Sequence, residues 1–369
     1  MLPINSESAI ILKTLFRLLV IICNYFKNSA IVFFFWQLLM TGIFDLNRVK
    51  NRREFLRWGL LAGGISTAAV ALSNSIRADN SVKIPPLPVG NSDLSFDPMS
   101  VLRDFDYGTL KQENGQTIRE FEVYAHSTPI QLNSAITFMS WNLNDRIPAP
   151  TLRATEGDRV RIIFHNEDGH SHSLHFHGTH PLEMDGVTSV RRGKTFVYEF
   201  NAEPYGVHPY HCHVAPVTRH VGKGLYGLFI VDPLEGRPPA DEMVLVMGAY
   251  DIDSDDKNDL YAFNGIPNYY RDRPIPVYQN QLIRLYVLNM IEFDPGITFH
   301  IHANMFQIYR TGRSLQPNEE SDVITMGTAE RHILEFAYKY PGKYMFHPHQ
   351  DYIAEHGCMG FFDVIPQEA

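Results

Sequence analysis

From about residue 120 to the C-terminus, apolar and polar positions alternate over short runs, and no long stretch repeats with a helical period. In Asp158–Asn166, Val160, Ile162 and Phe164 fall on one face. Thr195–Phe200 does the same with Phe196, Tyr198 and Phe200. A period of two predicts half-buried strands. Many such runs, divided by Pro- and Gly-rich turns, predict β-sandwiches. The pattern also repeats. Residues 199–213 read EFNAEPYGVHPYHCH and residues 335–349 read EFAYKYPGKYMFHPH, with Glu-Phe, one glycine (Gly206, Gly342) and two histidines at identical offsets. Each segment is followed by a similar strand beginning at Gly227 or Gly360. The expected architecture is therefore all-β: two duplicated sandwiches, 119–235 and 236–369, preceded by an arm at 79–118. Asp232–Pro239 (DPLEGRPP) is the linker between the sandwiches.

The segment before residue 79 has a different character. Arg52 and Arg53 precede a charge-free apolar stretch from Trp58 to Leu72, which is followed by small residues ending at Ala78. This is the order of an export signal. The arginine pair points to the twin-arginine route and an extracytoplasmic, periplasmic destination. Fifteen apolar residues are short for a membrane span, although anchoring is the alternative. A second apolar stretch, Asn28–Phe44, reads either as a short span or as sequence upstream of a true start at Met40.

Composition narrows the function classes. The chain has 369 residues, 44% hydrophobic and 20% charged, with a net charge of −9, so it lacks the basic footprint of a nucleic-acid binder. Three cysteines are too few for a disulfide scaffold. The 17 histidines are the unusual count.

Five His-x-His pairs occur, at 170/172, 175/177, 211/213, 300/302 and 347/349, where random placement of 17 histidines over 369 positions gives about one. Residues i and i+2 of a strand share a face, so each pair aims two imidazoles at one place. Four of the pairs, two per repeat, supply eight nitrogens, enough for a cluster of several metals. Imidazole suits copper, zinc, iron and nickel alike. Cys212 narrows the choice, because one cysteine with two histidines is the trigonal set of a blue-copper centre. His172 and His220 are the candidates to complete it. Leu225 takes the axial position and cannot coordinate, which favours the reduced metal and a raised potential. In the second repeat the matching positions are Ile297, Pro348 and Ile353, so all three donors are missing together. Cys358, matching Leu225, is expected as a buried apolar thiol. His170, His180, His208 and His356 border the motifs without fitting them.

HFHG…MDGV (175–187), YHCH (210–213), FHIH (299–302) and FHPHQD (346–351) resemble the four copper motifs of the multicopper oxidases. Within them the chain resembles the two-domain, laccase-like branch with its blue copper in the first domain. The resemblance implies two cupredoxin-like Greek-key sandwiches and four coppers per chain. By it, His172, Cys212 and His220 hold type 1 copper, and His175 and His300 hold type 2. The type 3 pair falls to His177, His211, His213, His302, His347 and His349. Asp185 and Asp351 stand beside the cluster as acids that orient ligands or relay protons. The resemblance also implies a homotrimer sharing clusters between subunits.

The activity this implies takes single electrons from a small-molecule donor near the surface, through an exposed His220, and reduces O2 to water. A phenol-like donor is the default. The alternatives are a metallo-oxidase for Fe(II) or Cu(I), a copper nitrite reductase and a non-catalytic periplasmic copper-binding protein. The basic segment VTRHVGKG around His220 weighs against cationic donors. The Cys212-to-His220 spacing is three residues longer than the common one and resembles the loop of copper nitrite reductases. A nitrite reductase needs an aspartate where this chain has His175.

Overall fold

Alternation becomes structure most directly in β6 (Arg159–Asn166), which buries Val160, Ile162, Phe164 and Asn166 and leaves the residues between them half-exposed. β8 (Lys194–Asn201) buries Tyr198 and Phe200, with Phe196 half-buried beside them. Continuously apolar runs behave differently: β10 (Tyr226–Asp232) and β14 (Ile283–Asn289) are buried on both faces, as strands covered from two sides must be. The computed structural model describes residues 82–86, 94, 96–294 and 296–367. The Arg52–Arg53 signal and the Asn28–Phe44 stretch lie outside the described residues.

The chain forms two sandwiches of like topology. In the first, one sheet runs β1 (Phe105–Asp106), β5 (Thr151–Thr155), β10, β9 (Gly206–His211), β7 (His175–Phe176). Its facing sheet runs β2 (Thr109–Glu113), β3 (Gln116–Gln131), β6, β8, with β4 (Thr137–Leu143) on β3. In the second, one sheet runs β13 (Ile275–Tyr278), β21 (Gly360–Ile365), β20 (Gly342–His347), β15 (Ile297–Ile301), β18 (Val323–Met326). The other runs β12 (Leu260–Phe263), β11 (Asp241–Tyr250), β14, β19 (Arg331–Phe336), β16 (Phe306–Arg310), β17 (Glu319–Ser321). The parallel pair β5–β10 matches β13–β21, and the antiparallel pairs β10–β9 and β9–β7 match β21–β20 and β20–β15. The repeat seen in sequence is thus a repeat of strand order. Two all-β cupredoxin-like sandwiches make up the fold.

Of the segment 79–118, expected as an arm, residues 97–118 are woven into both sandwiches. β1 and β2 join the sheets of the first, and β3 already begins at Gln116. The short helix α1 (Pro98–Val101) precedes Leu102, which sits with Met99 in the core of the second, and Leu102 O accepts the Val244 amide. No apolar periodicity marks such short elements: β1 pairs with β5 some 46 residues on, β2 with the adjacent β3, and Leu102 meets Val244 in the other sandwich.

The sandwiches meet through ions as well as core. Arg153 on β5 donates to Asp232 (2.8 and 3.0 Å) and to Glu242 on β11 (2.7 and 3.1 Å), and Arg284 bridges Glu242 (3.1 Å) and Glu335 (2.6 Å). The two repeat glycines serve different ends. Both have strongly positive φ, 141° and 143°, but a Cβ on Gly206 would stand 2.8 Å from Thr311 O across the contact, whereas one on Gly342 would meet only the Tyr344 side chain at an ordinary van der Waals distance of 3.6 Å. Gly342 answers a backbone demand alone.

Candidate metal centres

Cys212 follows the last residue of β9, and strand alternation turns its side chain into the first core while His211 faces the other way. His172 is fixed by a reciprocal pair of backbone hydrogen bonds with Val190 (3.0 and 2.8 Å). The short helix α2 (Val217–Gly222) returns His220 to the same point. Sγ of Cys212 lies 3.2 Å from His220 Nδ1 and 3.7 Å from His172 Nδ1, and the two nitrogens are 3.2 Å apart. Three donors so spaced fit one ion at about 2.0–2.3 Å from each. All three are buried. Leu225 is buried in the same core, and its carbonyl accepts the Cys212 amide (3.0 Å).

Burial sets the charge of this group. It pushes the Cys212 thiol up, against backbone N–H groups of Ser173, Val214 and His213 that favour the thiolate. It pushes His220 down to about 4, helped by His172 and His170, and lowers His172 despite Asp168. Neutral imidazoles and a soft sulfur are the donors a copper ion takes, with loss of the thiol proton.

The remaining paired histidines form two sets of like design. In the first, β7 pairs with β9 so that His175 stands opposite His211. The His175 ring lies 5.0, 5.1 and 5.2 Å from those of His177, His211 and His213, and Nε2 of His177 and His211 are 3.4 Å apart. In the second, β15 pairs with β20 so that His300 stands opposite His347. His302 and His349 each lie 5.1 Å from His300, and Nε2 of His302 and His347 are 3.1 Å apart. His175, His177 and His211 bring donor atoms within 4.8 Å of one another, as do His300, His302 and His347. His213 and His349 flank these triads. Among the described residues, no ring of one set packs against a ring of the other. Burial and neighbouring imidazoles push His177 down to about 3, and burial with the His175 and His213 rings takes His211 to about 4, so these rings are neutral lone-pair donors at neutral pH.

Four rings have their outer nitrogen engaged, which aims the inner one at the cluster. His175 Nδ1 is bound by Asp185 (2.8 Å), His300 Nδ1 by Asp322 O (2.7 Å), His211 Nδ1 by Cys212 O (3.0 Å) and His347 Nδ1 by Pro348 O (2.7 Å). A three-residue 3-10 turn, Leu182–Met184, delivers Asp185. Asp351, by contrast, opens the short helix α3 (Asp351–Glu355), is exposed, and touches no imidazole among the described residues.

His220 corrects an expectation. It is 5% exposed, not a surface residue, because the Trp141 ring packs edge-on against it at 4.9 Å. Sequence reading also passed over Asp168. Its carboxylate is buried, receives His172 Nε2 (2.8 Å) and His170 Nδ1 (2.9 Å), and is bonded by Ser127 Oγ. Burial would raise its pKa, but the bonds from Ser127, His172 and His170 outweigh that and hold it well below the usual carboxylate range. A carboxylate four residues before a histidine is too common a pattern to have singled it out.

Cys358 is buried and free. It lies in the second core, as expected of the position matching Leu225.

Two family models, each described as multicopper oxidase, match residues 125–236 and 237–368. Among solved structures, one described as a crystal structure of multicopper oxidase is 46% identical with a TM-score of 0.73, covering 75% of this chain and all (100%) of that one. The blue copper oxidase from Nitrosomonas europaea is 27% identical with a TM-score of 0.61, over 67% of this chain and 86% of its own. Among curated proteins, the copper-containing nitrite reductase of Neisseria gonorrhoeae is 27% identical over 257 residues, 63% of this chain. That match spans 64% of the relative's length. The matched models take in most of both sandwiches and every cysteine and histidine of the three groups, and the chain belongs to the multicopper oxidase family.

Proposed function

We propose that the chain is a laccase-like oxidase that takes single electrons from a small reducing donor, phenol-like by default, and passes them to O2 to form water. In this reading His172, Cys212 and His220 hold type 1 copper, His175 and His300 hold type 2, and His177, His211, His213, His302, His347 and His349 hold the type 3 pair, four coppers per chain. Bound copper supplies the one-electron redox chemistry. The observation that carries the reading is the position of Cys212. Its side chain belongs to the mononuclear set while its chain neighbour His211 belongs to the first imidazole set, so one short run of backbone joins the two. A copper-storage protein has no use for that junction.

The same reading assigns roles to other residues. Asp185 keeps His175 in the tautomer whose Nε2 faces the cluster. The separation of the two imidazole sets supports a homotrimer in which the first set of one subunit meets the second set of the next, a head-to-tail contact that closes into a ring. Exposed Leu182 and Val187 near the first set, and Met305 and Tyr352 near the second, supply apolar surface for it. Export to the periplasm rests on the twin-arginine pattern.

Nitrite reduction is the second reading, favoured by the curated relatives named for it. Eight imidazoles in two matched sets exceed what a single type 2 site needs. The deciding test compares O2 consumption with anaerobic nitrite reduction by the copper-loaded chain and records its visible spectrum beside Cys212→Ser. An intense blue band absent from the variant, with O2 uptake exceeding nitrite turnover, is the expected result. The reverse preference would replace the oxidase reading.

A further inference from the structure

We infer that electrons reach the mononuclear centre through His170 and Asp168, on the His172 side, and not through His220. The inference rests on the oxidase reading above. His220 is closed off by Trp141, itself buried. His172 is buried too, but its outer nitrogen has a continuous hydrogen-bonded connection to the surface. His172 Nε2 donates to Asp168 Oδ2 (2.8 Å), and the same oxygen receives His170 Nδ1 (2.9 Å) and the His170 amide (2.9 Å). The His170 side chain is 53% exposed, against 2% for Asp168 and 0% for His172. His170 is thus the solvent-facing end of a bridge whose other end is a ligand of the mononuclear set.

The surroundings hold this bridge rigid. Asn166 Oδ1 receives the Asp168 amide (3.0 Å), Asn166 Nδ2 donates to the His170 carbonyl (2.7 Å), and Ser127 Oγ donates to the carboxylate. The His170 ring rests on Trp141 with centroids 4.1 Å apart, which fixes its exposed edge. Asp168 also lines a polar cleft of about 460 Å³ between His126, Asp145, Glu167 and Arg192. The cleft reaches Gly169, next to His170, and its charged and hydrogen-bonding side chains suit a small polar donor such as hydroquinone.

The step balances simply. Hydroquinone docked on His170 gives up one electron, and the proton of its hydroxyl leaves to solvent. Copper held by His172, Cys212 and His220 would supply the one-electron acceptor for it. His170 contacts the donor; Asp168 is a positioning residue that acts through His172.

The test follows the blue absorption of the copper-loaded full chain as hydroquinone bleaches it in the absence of O2, then as O2 restores it. His170→Ala is expected to keep the blue band and the rate of reoxidation but to slow bleaching at least tenfold. Asp168→Asn removes a carboxylate that makes the His172 ring electron-rich. It is expected to shift the one-electron reduction equilibrium about tenfold towards Cu(I), about 59 mV, a change that loosened packing alone would not produce. Thr218→Trp adds bulk at an exposed position of α2, two residues from His220, and is expected to change nothing. Bleaching that is unchanged or faster in His170→Ala would overturn the inference, faster being the sign of a route through the uncovered Trp141. Slowing by Thr218→Trp alone would also overturn it and return the route to His220. Absence of any blue band in the unmodified chain would instead remove the oxidase reading itself, and the inference with it.

Discussion

In the first sandwich β9 runs into Cys212, and α2 brings His220 back to the sulfur; in the second β20 runs into Pro348, and α3 brings Ile353 back to the equivalent point. The backbone does the same thing twice. The Leu225 amide reaches the His220 carbonyl (3.4 Å), as the Cys358 amide reaches that of Ile353 (3.2 Å). His211 and His347 both bond the carbonyl of the residue after them. Where the first sandwich gathers a sulfur and two imidazoles, the second buries Ile297, Ile353 and Cys358 in its core. The imidazole sets therefore follow from strand pairing, which both sandwiches share. The mononuclear set is three side chains laid on a scaffold that packs equally well without them. A buried polar triad without an ion is a liability, so an apolar filling is the stable default of this fold.

Cys212→Ser is the sharpest break in that comparison, since it makes the first sandwich like the second at the decisive donor. Blue absorption and donor oxidation should both vanish, while near-UV absorption from the imidazole cluster persists in the same spectrum. The comparison also presumes that the sandwiches hold each other in place. Glu242→Gln, which takes one carboxylate partner from each of Arg153 and Arg284 and leaves them Asp232 and Glu335, should cost about 1.5–3 kcal/mol at neutral pH, read as a drop in Tm. Burial raises the Glu242 pKa, but Arg153, Tyr286 and Arg284 pull it lower on balance. The contribution is thus fully present above the unfolded value of about 4.3 and is lost as pH falls through the lower folded one. The Tm difference between Glu242→Gln and the unmodified chain should shrink in acid accordingly.

Asp185→Asn probes an asymmetry between the imidazole sets: a carboxylate bonds His175 Nδ1 at 2.8 Å, where His300 Nδ1 is bonded by the Asp322 carbonyl. It should lower copper retention or O2 reduction by about 10–100-fold, measured by metal analysis and oxygen electrode. Asp351→Asn should do less, because that carboxylate touches no imidazole among the described residues. The smallest expected effect is Ile353→His, which places a lone imidazole in the second core. It should cost about 1–3 kcal/mol in a melt of the metal-free chain.

Features carried by neighbouring residues were legible in the sequence. The β6 alternation, the i, i+2 histidines and the matched offsets of 199–213 and 335–349 are local, and strand geometry converts them directly into faces and pairs. The missing donors of the second repeat were legible for the same reason. What could not be read depends on distant chain. Trp141, from β4, covers His220 and makes it a buried residue. Ser127 and the imidazoles of His170 and His172 converge on Asp168, a carboxylate with no periodicity to mark it. β1, β2 and α1 have their identity from partners in other strands, so 79–118 looked like an arm.

The separation of the two imidazole sets has a consequence for dilution. The mononuclear donors all come from one sandwich, so at a given free copper concentration their occupancy does not depend on subunit association. If the other cluster is completed only by a neighbouring subunit, its occupancy obeys mass action. Dilution should then strip the multinuclear site first and leave blue, inactive single chains, so that specific activity falls with protein concentration while colour per chain does not.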